Sequence, residues 1–169
     1  MNFFLPAPVL PVLFMGGVSA AAADTGATEL GLLSKSPPRL LTHPARVVSP
    51  GTSGGVTFLG FAGALFFSLV LGAMAYLLGV VGSPAVALGA CLAGGLSGAA
   101  SDSLVGAAVQ RKGYCPICMK PTEGLRHCGE KTVATSGTRF VENNFVNLLA
   151  TATGAVVSTL AYFALSSML

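Results

Sequence analysis

At 169 residues, 53% of them hydrophobic and only 9% charged, the chain has too little charge to clothe a water-soluble surface, since soluble domains carry about 25% charged residues. Its length suits one domain, and lipid must replace water over much of its surface. The net charge of +3 says less than its placement: all nine Lys and Arg fall in two blocks, Lys35 to Arg46 and Arg111 to Arg139, and the six acids, Asp24, Glu29, Asp102, Glu123, Glu130 and Glu142, lie in or beside them.

Taken in chain order, four apolar stretches between these blocks are long enough to cross a bilayer, each span needing about 20 residues. They predict spans near 4–23, 56–79, 84–107 and 145–167. The first is weakened as a helix by Pro6, Pro8 and Pro11, and its end, Val18-Ser-Ala-Ala-Ala-Ala-Asp24, resembles a signal-peptidase site. Against a cleaved signal, no basic residue precedes Lys35, so the basic n-region is missing. Spans two and three are divided by Gly79-Val-Val-Gly82-Ser83-Pro84, whose turn-formers make them a hairpin. Both basic loops then share one side, which the positive-inside rule makes the cytoplasm or stroma, with both termini opposite. The expected fold is all-α: a polytopic membrane helix bundle of about four transmembrane helices in a single domain, 1–169, with a small Cys-rich cytoplasmic loop at 111–131.

Asp24-Thr-Gly-Ala-Thr-Glu29 closes the first stretch, and in a helix Asp24 and Thr28 share a face. Gly51-Thr52-Ser53-Gly54-Gly55 precedes the second span, where unpaired N–H groups at a helix start attract anions. Lys35, Arg39 and Arg46 stand upstream to neutralise phosphate. The loop lacks the Gly-Lys-Ser/Thr ending of a Walker motif, and a helix cap joined to a turn also explains it. In the third span Gly94, Gly98, Asp102 and Gly106 recur every fourth residue, so they share a helix face on which small residues allow close helix approach. Asp102 then points into the bundle and is a functional candidate, an interfacial snorkelling carboxylate being the plainer alternative. Facing Asp24, it could hold a hard cation through oxygen.

Cys115-Pro-Ile-Cys118 and His127-Cys128 form a compact ligand cluster. In a reducing loop, tetrahedral zinc is a better reading than a disulfide, with a redox pair or free thiols as alternatives. All four residues are candidate zinc ligands; adjacent His and Cys rarely reach one ion without strain, so a bystander among them is the alternative. Cys91, in mid-span, reads as packing. Asn143, Asn144, Asn147 and Thr151 open the last span, either as helix caps or as the polar wall of a pocket. Thr132 to Arg139 adds hydroxyls and a cation to the same loop.

The order of these motifs resembles a known family. Asp24-Thr…Ala27-Thr-Glu-Leu-Gly31, Pro37-Pro-Arg39-Leu, Gly51-Thr-Ser-Gly-Gly-Val56, Ser101-Asp102-Ser-Leu-Val-Gly106-Ala and Asn143-Asn144…Val146-Asn147-Leu follow the pattern of the integral membrane proteins long called domain of unknown function 92. That family includes animal transmembrane protein nineteen and the plant phytyl-phosphate kinases of vitamin E synthesis. The resemblance runs from about Ala22 to the C-terminus, and the Cys…Cys…His-Cys insert looks like that of microbial members. It implies a membrane enzyme acting on an isoprenoid or related lipid phosphate, with CTP or another nucleoside triphosphate as donor. The pattern is also similar, distantly, to membrane cytidylyltransferases and CTP-dependent lipid kinases. Carried over, Asp24 and Asp102 hold magnesium, Thr52, Ser53, Gly54 and Gly55 bind phosphates, Lys35 and Arg39 neutralise charge, and Asn144 and Asn147 complete the pocket.

Three departures bear on this. Gly26 stands where relatives have an aromatic residue, and Phe145 where many have Asp. Relatives also carry helices upstream of this region, which leaves open a fragment or a late start site. The competing reading is a non-enzymatic transporter subunit or scaffold in which Asp102 lines a pathway or fixes packing. The basic residues are too few and scattered for nucleic acid; self-association into a homo-oligomer stays open.

Overall fold

The membrane solvates large apolar side chains as well as a protein core does, so helices in lipid gain by turning small residues toward one another. The four helices here follow that rule. The computed structural model describes residues 9–138 and 140–168; the start of the first expected span, residues 4–8, and Arg139 lie outside the described residues. Its helices are α1 (Val9–Leu32), α2 (Phe58–Leu77), α3 (Pro84–Ala108) and α4 (Asn143–Ser166), each long and apolar enough to cross a membrane. Their buried positions are mostly Gly, Ala and Ser, whereas Phe58, Phe61, Phe66 and Leu77 of α2 and Leu148, Leu160 and Phe163 of α4 face outward.

Packing is organised around α1 and α3, which each touch all three other helices; α2 and α4 meet marginally at most. A Cβ added to Gly94 would sit 2.7 Å from the Gly154 carbonyl oxygen and 2.8 Å from Ser158 Cβ, and one added to Gly98 would strike Ala20 and lie 3.0 Å from the Ala150 oxygen. Ser19 Oγ donates to the Cys91 carbonyl at 2.8 Å, joining α1 to α3. Cys91 is buried, in agreement with a packing role. Gly94→Val should force α3 from α4 and destabilise the bundle by about 1–3 kcal/mol or more, as overpacking does; the thermal midpoint in detergent reads it, and an unchanged midpoint would refute this packing.

The α2–α3 hairpin turns where the apolar pattern breaks. Val80 N–H donates to the Ala75 oxygen at 2.9 Å, Gly79 takes φ +70°, and Pro84 starts α3 where it costs no hydrogen bond. Both polar segments therefore emerge at one end of the bundle. They carry short antiparallel strands that sequence patterning did not anticipate. One three-stranded sheet, ordered β2-β1-β3, is made of β1 (Arg39–Leu40), β2 (His43–Val47) and β3 (Gly55–Val56). A second, ordered β5-β4-β8, comprises β4 (Lys112–Tyr114), β5 (Pro121–Thr122) and β8 (Val133–Ser136); β6 (Arg126–His127) and β7 (Glu130–Lys131) form a separate hairpin.

Two expected boundaries need correction. The first helix runs to Leu32, beyond the expected end at 23, so Asp24 and Glu29 sit on it. Charge ends the lipid-compatible composition without ending the backbone ladder, and no proline follows until Pro37. The second begins at Phe58, not 56, capped by Thr57, whose Oγ1 accepts from Gly60 N–H at 2.9 Å.

Candidate functional site

The polar end of the bundle is built in layers. Gly98 of α3 meets Ala20 of α1 and Ala150 of α4. One helical turn nearer the polar end, the same three faces carry Asp102, Asp24 and Asn147. The antiparallel course of α4 against α1 and α3 makes this match. Asp24, Thr25, Asn147 and Thr151 line a cleft of about 100 Å³ floored by Ala20, Ala21 and Ala150. The Thr151 hydroxyl donates to the Asn147 main-chain carbonyl.

Among the described residues, Asp102 Oδ1 is buried without a hydrogen-bond partner. An unpaired buried carboxylate costs several kcal/mol, a cost that a cation bound there would offset. Oxygen donors from Asp102, Asp24 and the Asn147 amide match what magnesium takes: one or two carboxylates, with water and phosphate oxygens filling the remainder. The donor chemistry thus fits a hard divalent cation.

The Gly-rich loop lies elsewhere than expected. The strand β3 separates it from α2, whose first turn Thr57 already caps, so its backbone does not form that helix start. Instead it rests on the last turns of α3. Gly54 has φ +79°, and a Cβ there would lie 2.5 Å from Ala107 Cβ and 2.6 Å from the Ser103 oxygen, so a side chain is excluded both by conformation and by space. This seats Ser53 and Gly54 about one turn beyond Asp102.

Ser53 joins a polar hub that sequence reading missed. Gln110, 2% exposed, accepts from Ser53 Oγ at 2.5 Å and donates from Nε2 to Glu123 Oε2 at 2.7 Å and, more weakly, to Asn143 Oδ1 at 3.5 Å. One amide thereby ties the Gly-rich loop, the Cys-rich segment and the start of α4 together. Glu123 is a third carboxylate at this end. Burial pushes its carboxyl above the usual range; Lys112 opposes that shift, the charge of Asp102 adds to it, and the Gln110 hydrogen bond opposes it. Gln110→Leu strands its three partners and should cost about 1–3 kcal/mol, read as a lower thermal midpoint in detergent; no change would mean the hub is not formed.

The remaining expected residues are placed as follows. Thr52 is half-buried, its carbonyl accepting from Gly55 N–H at 2.9 Å. Lys35 is exposed just beyond α1, and Arg39 is exposed with Nη1 donating to the Pro44 carbonyl at 2.9 Å, bracing the turn into β2. Asn144 is exposed on the first turn of α4; Glu142 is the N-cap residue and makes no side-chain capping bond. The aromatic absent at Gly26 is supplied from across the interface: a Cβ there would run into the ring of Phe67 on α2.

The Cys-rich segment hangs from the hub. Buried Arg111 donates to the carbonyls of Glu123 at 3.2 Å, Gly124 at 2.8 Å and Thr132 at 3.3 Å, and to Thr132 Oγ1 at 2.8 Å. Beyond it Cys115, Cys118, His127 and Cys128 bring one ligand atom each within 4.8 Å of one another. Cys118 Sγ lies 3.4 Å and Cys128 Sγ 3.2 Å from His127 Nδ1. The backbone explains how adjacent His127 and Cys128 both approach one point. Cys128 and Gly129 are the two loop residues of the β6–β7 hairpin, at φ +52° and +80°, the signature of a type I′ turn, which swings Cys128 to the side His127 faces. The Cys118 N–H first, with His127 and Ile117 N–H behind it, lowers the Cys115 thiol to about 6 against the opposing effect of burial. Hydrogen bonding with Cys118, then burial and the neighbouring sulfurs, pushes Cys128 up to about 11.

The chain is 33% identical over 150 residues to "Uncharacterized membrane protein MJ0933" of Methanocaldococcus jannaschii, covering 88% of this chain and 50% of the relative. It is 32% identical over 144 residues to "Protein PGR" of Arabidopsis thaliana, covering 80% and 49%. The chain spans about half the length of the curated relatives it matches. No solved structure matches. Residues 2–155 match the family described as "Integral membrane protein DUF92".

Proposed function

The chain belongs to the DUF92 family of integral membrane proteins, and on that premise we propose that it is a membrane-embedded, nucleotide-dependent kinase of an isoprenoid lipid phosphate, or a related phosphoryl or cytidylyl transferase. The observation that carries the reading is that Asp102 Oδ1 is buried without a hydrogen-bond partner among the described residues, at the level of the polar end where α1 carries Asp24. Phosphoryl transfer asks little covalent chemistry of a protein; positioning and charge neutralisation supply most of the rate. A magnesium ion held by these carboxylates would neutralise the phosphates of CTP or another nucleoside triphosphate. The protein's own groups would do the rest. Ser53 and the backbone N–H groups of Ser53 and Gly54 hold phosphate oxygens, the Thr52 and Gly55 N–H groups shaping the turn that presents them; Lys35 and Arg39 add positive charge, and Asn144 and Asn147 position the acceptor. The isoprenoid tail would lie in lipid along the outward apolar faces. By the positive-inside rule this end faces the cytoplasm or stroma.

The test is a phosphorylation assay with purified protein in lipid, across isoprenyl monophosphates with CTP and with ATP. Magnesium-dependent formation of the lipid diphosphate supports the reading; no turnover with either donor on any of them refutes it. A second reading, a transporter subunit or scaffold, draws on the small cleft at Asp24, since about 100 Å³ admits a few waters and not a nucleotide. It predicts thermal midpoints that respond to Asp102 substitution and are indifferent to magnesium with CTP.

A further inference from the structure

The segment between α3 and α4 poses a question of stability. Of its residues, Cys115 is the only buried apolar one among those described. Ile117, Met119, Leu125 and Val133 are between 41% and 66% exposed, and its strands are two to four residues long. A fold this small without an apolar interior needs a cross-link or a metal to exist.

The ligands for one are already gathered. Tetrahedral zinc with bonds of about 2.3 Å to sulfur and about 2.0 Å to nitrogen spaces its ligand atoms roughly 3.5–3.8 Å apart. The sulfur–nitrogen separations of 3.4 and 3.2 Å, and the 4.8 Å ceiling on all pairs, lie around those values. Two backbone devices hold the cluster. Met119 N–H donates to the Cys115 carbonyl and Cys115 N–H to the Lys120 carbonyl, both at 3.0 Å, which folds Cys115–Cys118 into a knuckle. Met119 takes φ +58° to close it, and Cys128 takes φ +52° in the opposite hairpin. Met119, next to Cys118, and Cys128, itself one of the four, thus hold side chains in the left-handed region, a cost of about 1–3 kcal/mol each that a bound ion would offset.

We infer that Cys115, Cys118, His127 and Cys128 bind one zinc ion through three thiolates and His127 Nδ1, and that this ion holds the 112–136 segment in its fold. Glu123 lies between the two ligand pairs in sequence, and Arg111 and Gln110 grip it and its neighbours, so the ion would steady this hub as well as its own knuckles. The inference stands apart from the phosphoryl-transfer reading, because it is tested without nucleotide or lipid substrate.

The full-length chain, purified in detergent under reducing conditions, should contain one zinc per chain by elemental analysis. Exchange to cobalt should give intense visible d–d bands with thiolate charge transfer, the mark of a tetrahedral sulfur-rich site. Cys115→Ser and Cys128→Ser should each keep less than roughly a tenth of the zinc, and Cys91→Ser should keep all of it. Weak octahedral cobalt bands in the unsubstituted protein, a Cys115–Cys118 disulfide in place of metal, or full zinc in Cys128→Ser would each overturn the site. The cobalt spectrum needs no variant, so misfolding of a substituted chain does not blunt the test.

Discussion

Asp102→Asn should lower nucleotide-dependent lipid phosphorylation by on the order of 10²–10³-fold, the usual effect of removing one preorganised charge-stabilising group, with membrane insertion and helix content intact. The substitution keeps the side chain's volume and one acceptor oxygen while removing the charge. Asp102 Oδ1 has no donor among the described residues, so none of the described hydrogen bonds is broken by it, and loss of an unpaired buried charge should leave the thermal midpoint level or raise it. That pairing of outcomes, activity lost and stability kept, separates a ligand-holding carboxylate from a structural one. Asp24→Asn should behave alike, and its magnesium requirement should move to higher concentration, because one oxygen donor remains. If Asp102→Asn turned over substrate at the parental rate, the carboxylate layer would not be the reacting site. If it lost activity and melted at a lower temperature together, the packing role of the scaffold reading would be the better account.

How far this was legible from the chain differs between its parts. The four spans were, since a charge pattern confined to two blocks leaves lipid as the only solvent for the rest. The helix ends were not, because the residue that stops a span and the residue that stops a helix obey different physics. Asp24 ends the apolar composition, while its peptide N–H continues the ladder to Leu32. The four-residue recurrence of Gly94, Gly98, Asp102 and Gly106 correctly put Asp102 on a face turned inward, but the partners of that face, Ala20 and Ala150, carry no signal of their own. Gln110 was invisible: a lone amide after a helix has no periodicity or spacing to announce a role. Glu123 was overlooked for another reason, since its segment was read for its cysteines. The convergence of His127 with Cys128 was within reach. Cys128-Gly129 between two short polar pairs is a two-residue hairpin signal, and a hairpin with positive φ at both loop positions removes the objection to adjacent ligands.

Stripping zinc is expected to melt the 112–136 segment and leave the four helices standing. The bundle is held by contacts that never involve that segment, such as Gly94 on Gly154 and Ser19 on Cys91, so helical circular dichroism should hardly change when a strong chelator is added. Hydrogen exchange should change greatly in one place. The N–H groups of Cys115, Met119 and Thr132, bonded to the carbonyls of Lys120, Cys115 and Leu125, should exchange at least about 100-fold faster once the ion is gone, because local opening then has little to oppose it. Arg111 sets the limit on this expectation. Its four hydrogen bonds bind carbonyls and a hydroxyl on both sides of the cluster, and if they sufficed alone, protection would survive complete zinc removal and the metal would be an ornament on a fold made by a guanidinium. The two causes part on re-addition. A zinc-made fold regains its protection in proportion to zinc bound, and an arginine-made fold has none to regain. Because Gln110 couples Glu123 to Ser53, the same titration should also restore order at the Gly-rich loop, on the far side of the hub from the ion.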